Sequence, residues 1–114
     1  MSQRIKRNAV LLKALYHATP QKRKDIIAHC SPDFLQALCE IALNLLKGNI
    51  PLSASQYKKL KSQKKIIRLL ADRKTGLKRK HQVLKKQSGG FIFPLLSAAV
   101  PLIGNLLGGL IQKK

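Results

Sequence analysis

At Gln87-Ser88-Gly89-Gly90 the chain changes character, and that change limits what it can fold into. The stretch before it is dense in Lys and Arg, whereas no charged residue occurs from Phe91 to Gln112, after which Lys113 and Lys114 follow. The first kind of segment favours water and polyanions, and the second favours leaving water. At about 1.5 Å per residue, a fully helical tail is roughly as long as a bilayer core is thick. Pro94 and Pro101 each remove a backbone donor, however, and Gly104, Gly108 and Gly109 favour bends. Neighbouring helices or water would have to satisfy the freed carbonyls. Gly104 and Gly108 form a GxxxG, a weak signal in a Gly-rich tail. The candidate membrane residues are Phe91, Ile92, Phe93, Leu95, Leu96, Val100, Leu102, Ile103, Leu106, Leu107, Leu110 and Ile111. Three readings stay open: the tail spans a membrane, inserts obliquely and disturbs one, or is buried against other protein in an assembly.

Charge narrows the partners. The 114 residues carry 23 Lys and Arg against 4 acids (Asp25, Asp33, Glu40 and Asp72), a formal net charge of +19. A compact body so charged repels itself, which implies a polyanionic partner, nucleic acid or an anionic membrane. The length suits one small domain with appendages. Two cysteines, Cys30 and Cys39, and the absence of a long apolar stretch in Met1 to Arg7 argue for a reducing compartment rather than a disulfide scaffold.

The order of helical signals predicts an all-α fold, a small bundle of short helices over residues 1–71. A basic helical extension and Gly-Gly linker (72–90) and the apolar tail (91–114) follow it. Arg4 to His17 has a loosely amphipathic pattern. Thr19-Pro20 and Ser31-Pro32 each read as an N-cap followed by proline at the first helical position. Pro32 to Lys47 is apolar at i, i+3, i+4 and i+7 through Phe34, Leu35, Leu38, Ile41, Ala42, Leu45 and Leu46, which places it mid-bundle. Gly48 is its natural stop. Ser53 to Gln56 fits a capping box. The helix it opens sets Tyr57, Leu60, Ile66, Ile67, Leu69 and Leu70 on a core side and its cations opposite. Leu77 to Gln87 offers a mostly polar helix with few docking residues, ordered on meeting a partner.

The candidate nucleic-acid contacts are Lys58, Lys59, Lys61, Lys64, Lys65, Arg68, Arg73, Lys74, Lys78, Arg79, Lys80, Lys85 and Lys86. Cations along a helix neutralise phosphates and release counterions, giving salt-dependent affinity without sequence readout. No stacking platform is visible among so few aromatics, so base-specific recognition is not expected. A helix-turn-helix across Ser31-Pro32 would put the Leu-rich helix in the groove, which is too apolar for it. Lys22-Arg23-Lys24 and Lys78-Arg79-Lys80 also match short nuclear import signals. His29, Cys30 and Cys39 lack CxxC or paired-His spacing, so no metal or other cofactor is expected. No Ser/His/Asp or Cys/His set suggests catalysis.

Ser88-Gly89-Gly90-Phe91-Ile92-Phe93-Pro94-Leu95-Leu96, with Ala98-Ala99-Val100-Pro101 and Leu102-Ile103-Gly104, resembles the C-terminal part of the adenovirus core protein X precursor family. That family joins a basic DNA-condensing segment to a Gly-Gly step and a Pro-interrupted apolar tail. His17 to Lys24 and Gly48 to Leu52 look like the corresponding small protein of adintoviruses and Polinton-type elements. This chain departs from the adenoviral pattern in being Lys-rich and in carrying a helical bundle. The resemblance implies a virion location, passage through the host nucleus during assembly, and double-stranded DNA, capsid proteins and a maturation protease as partners. That protease cuts after Gly-Gly when an apolar residue or Gln stands two positions before the pair. Gln87-Ser88-Gly89-Gly90 followed by Phe91 matches, which makes Gly90-Phe91 the implied cleavage site.

Overall fold

The computed structural model describes residues 3–48, 50, 52–87 and 94–99, and within them the chain is all α-helical. The helices are α1 (Gln3–Arg7), α2 (Ala9–His17), α3 (Pro20–His29), α4 (Pro32–Leu46), α5 (Ala54–Lys61), α6 (Lys64–Ala71) and α7 (Leu77–Gln87). Residues 94–99 form a further helical turn and a half.

Local chemistry sets most of the starts. The Thr19 and Ser31 hydroxyls accept from the amides of Lys22 and Phe34, and Pro20 and Pro32 occupy first-turn positions where no amide is needed. Ser53 and Gln56 complete a reciprocal capping box, with Ser53 Oγ accepting from the Gln56 amide and Gln56 Oε1 from the Ser53 amide. Gly48 ends α4 at a φ of 75°, a left-handed conformation that costs glycine little.

α4 is the central element. Phe34, Leu35, Ala37, Leu38, Cys39, Ile41 and Ala42 are all buried, and the helix packs against α6, α1 and α7. Ile5 and Leu12, Leu15 from α2, Ile27 from α3, Leu60 from α5 and Ile67 and Leu70 from α6 converge on it. Each large aliphatic side chain withdrawn from water contributes about 1.5–3 kcal/mol. The core is therefore distributed over every helix.

Two expected helices are broken. Arg4 to His17 divides at Asn8, whose Nδ2 donates to Arg4 O and to Asp33 Oδ2, and Ile5 and Ala9 on either side of the break are both buried. The helix opened by Ser53 stops at Lys61, where Ser62 Oγ donates back to Lys59 O, and restarts at Lys64. Such back-bonding competes with the helical ladder.

α7, which the sequence sets in a basic extension after residue 71, packs on α3, α4 and α6. Leu84 is fully buried, Leu77 packs on the core, and His81 Nε2 donates to the Ile27 carbonyl at 2.6 Å. A helix thus docked has packing partners within the chain.

Residues 94–99 are the part of the tail that the structure describes. Leu95, Leu96, Ala98 and Ala99 are fully buried in the same core, and Gln56 Nε2 donates to Ser97 O at 3.2 Å. Pro94 stands at the start of this short helix, where a missing amide costs nothing. In this state Leu95 and Leu96 face protein, not lipid. Phe91, Ile92, Phe93, Val100, Leu102, Ile103, Leu106, Leu107, Leu110, Ile111 and the Gly90-Phe91 bond lie outside the described residues.

Candidate nucleic-acid interface

The cations divide into two sets according to whether an acid meets them. At the seam of α1 and α4, Arg4 reaches Asp33 at 3.1 Å and Glu40 at 2.8 Å, and Arg7 reaches Asp33 at 3.0 Å. Hydrogen bonds from Arg7, Asn8 and Arg4 hold the Asp33 carboxyl down to about 2. The carboxylates of Asp33 and Glu40 in turn raise the Arg4 guanidinium. Asp72 is committed to its own turn, accepting from the Lys74 amide and the Thr75 hydroxyl, which lowers its carboxyl. Three of the chain's four acids are thus engaged away from α5.

Lys58, Lys59 and Lys61 on α5 and Lys64, Lys65 and Arg68 on α6 are all exposed. Among the described residues none of the six meets a carboxylate within ion-pair distance. The lysines of α5 sit in its last turn, where the helix dipole favours them. Lys64 and Lys65 sit at the start of α6, and Lys78 and Arg79 at the start of α7, with no acid in either first turn. Cations at the positive end of a dipole are unfavourable, and an anion bound there relieves both charges.

Arg73 and Lys74 in the connecting turn and Lys78, Arg79, Lys85 and Lys86 on α7 are exposed as well. Lys80 is the exception and is withdrawn from the candidate contacts. It is only 8% exposed and lines a cleft of about 340 Å³ with Arg4, Cys39, Glu40 and Arg73. Glu40 turns one buried, unbonded oxygen into this region. The helical phase explains Lys80: it shares the inward face with Leu77, His81 and Leu84, a pattern that sorting by residue type overlooks.

Arg23 is likewise structural. Its guanidinium donates to Leu15 O at 3.3 Å and Tyr16 O at 3.1 Å, capping the end of α2, so the basic triplet Lys22-Arg23-Lys24 loses its middle member from the surface. Tyr57, expected on the core side of its helix, is 58% exposed. It lines a groove together with Leu46, Leu60, Lys61 and Lys64.

Cys30 Sγ lies 3.9 Å from His81 Nε2, but burial pushes the thiol up, away from the reactive thiolate, and the imidazole proton is given to Ile27 O. Cys39 is buried in α4, and burial raises its thiol too. No group of three or more His, Cys, Asp or Glu gathers among the described residues. Among those residues no single helix is long and apolar enough to cross a membrane.

No protein-family model matches this sequence, and neither a curated protein nor a solved structure matches it.

Proposed function

We propose that the chain is a minor core protein of a double-stranded DNA virus or virus-like element, which neutralises packaged DNA without reading its sequence. The single observation carrying this reading is that, among the described residues, the exposed cations of α5 and α6 meet no acid, while Asp33, Glu40 and Asp72 are bound elsewhere. Such a surface gains affinity by displacing counterions from phosphates. The order of parts, basic helices before Gly89-Gly90 and a charge-free segment after it, supports a virion role with a maturation protease acting at Gly90-Phe91. In this reading the chain is a binding protein, not an enzyme, and its tail acts on membranes during infection. Leu95 and Leu96 first have to leave the core for that.

A gel-shift titration of duplex DNA at rising salt tests the central claim. Affinity falling linearly on a log-log plot, alike for unrelated duplexes, is the expected result. Salt-insensitive or sequence-selective binding refutes it. The alternative is a membrane-active or tail-anchored cationic protein, suggested by the uncharged run from Phe91 to Gln112. Dye leakage from anionic liposomes without retention of DNA would favour that alternative.

A further inference from the structure

The groove beside α5 combines features that phosphate neutralisation alone does not need. Leu45, Leu46, Leu52, Leu60 and Ile67 line a space of about 130 Å³ together with Tyr57, Lys61 and Lys64. Tyr57 is 58% exposed and Leu46 45%, although the core buries Phe34 and several leucines fully. None of the described residues that line the groove is acidic. A purely apolar occupant would leave both ammonium groups desolvated at its edges, and a bare phosphate would leave the leucines and the phenol ring uncovered. A flat ring joined to phosphates on either side satisfies both requirements.

We infer that this groove receives an unpaired nucleobase of a single-stranded stretch, stacked on Tyr57, with the flanking phosphates on Lys61 and Lys64. The inference rests on the polyanion-binding reading above and adds a preference that duplex neutralisation lacks. Every base has a π face, so stacking on an exposed aromatic within a basic groove is tolerant of sequence. Bases within an intact duplex are stacked on each other and cannot enter. The same protein would thus hold duplex by charge alone and single strands by charge plus stacking. Of the chain's two tyrosines, Tyr16 is half-buried against the core, and there is no Trp, so a change in tyrosine emission reports on Tyr57.

The test compares the full chain with Tyr57→Ala and Tyr57→Phe, binding (dT)20 and a 20-base-pair duplex at one salt concentration. The expected result is quenching of tyrosine emission by (dT)20, about a tenfold loss of (dT)20 affinity in Tyr57→Ala, and retention in Tyr57→Phe. Duplex affinity should stay within about twofold in all three. Equal (dT)20 affinity for wild type and Tyr57→Ala, with duplex binding intact, overturns this inference alone. Failure of the wild type to bind either polymer overturns the proposed function with it. Two further outcomes assign the groove elsewhere and also overturn the inference. One is a loss in Tyr57→Ala of binding to phosphatidylglycerol vesicles, but not to (dT)20. The other is dissociation of a wild-type dimer by Tyr57→Ala in sedimentation.

Discussion

At the α1–α4 seam, cations and acids complete one another: Arg4 and Arg7 fix Asp33 and Glu40, and the result joins the N-terminal helix to the central one. Along α5 and α6, six exposed cations meet no carboxylate among the described residues. The seam uses charge to hold helices together, and the face leaves charge exposed to solvent. What separates the two is where the few acids fall in the sequence, since the helices themselves are alike in kind. A chain with so strong an imbalance has one well-compensated region and one that awaits a partner.

The widest difference should appear when the face is neutralised. Changing Lys58, Lys59, Lys61, Lys64, Lys65 and Arg68 together to Gln should lower duplex affinity about a thousandfold near physiological salt and reduce the log-log salt slope by up to about five, with melting little altered. Gel shift and circular dichroism read the two quantities. Leu95→Ala is the reverse case. Removing a fully buried side chain should cost about 2–5 kcal/mol in urea unfolding and leave the salt slope unchanged. If both changes weakened DNA binding alike, face and core would not be separable.

At the seam, Arg4→Ala should lower the melting temperature without a matching loss of DNA affinity, because it strands Glu40 and loosens Asp33. Acid should do the same in a defined window. Asp33 titrates at about 2 in the fold against 3.8 unpaired, so its contribution is complete above about pH 4 and fades as pH falls towards 2. Urea unfolding of Asp33→Asn across that range should lack this component of the pH dependence. The smallest effect belongs to Lys80→Gln, which should shift the salt slope by less than about one, since the inward-facing ammonium meets no DNA phosphate.

Much of the fold was legible where a helix depends on its neighbours in sequence. Thr19-Pro20, Ser31-Pro32, Ser53-Gln56 and Gly48 act through bonds within a few residues, and they start or stop helices where local chemistry puts them. The breaks at Asn8 and at Ser62-Gln63 were not legible. Asn8 turns the chain by bonding Asp33, twenty-five residues away, and periodicity carries no trace of such a contact. The same holds for the site. Exposure of the α5 and α6 lysines follows from one apolar stripe, whereas the burial of Lys80 and Arg23 depends on which helix happens to lie opposite. Tyr57 stands one turn before the buried Leu60, so helical spacing alone places it inside, yet it is 58% exposed.

Gln56 has a second consequence. The residue that starts α5 also clasps Ser97, and four neighbours of Ser97 are sunk among the helices. A hydrolysed bond between Gly90 and Phe91 would therefore nick the molecule without parting it. The severed piece would depart at the pace of spontaneous opening, making release a matter of temperature and chaotropes rather than of how fast the peptidase works.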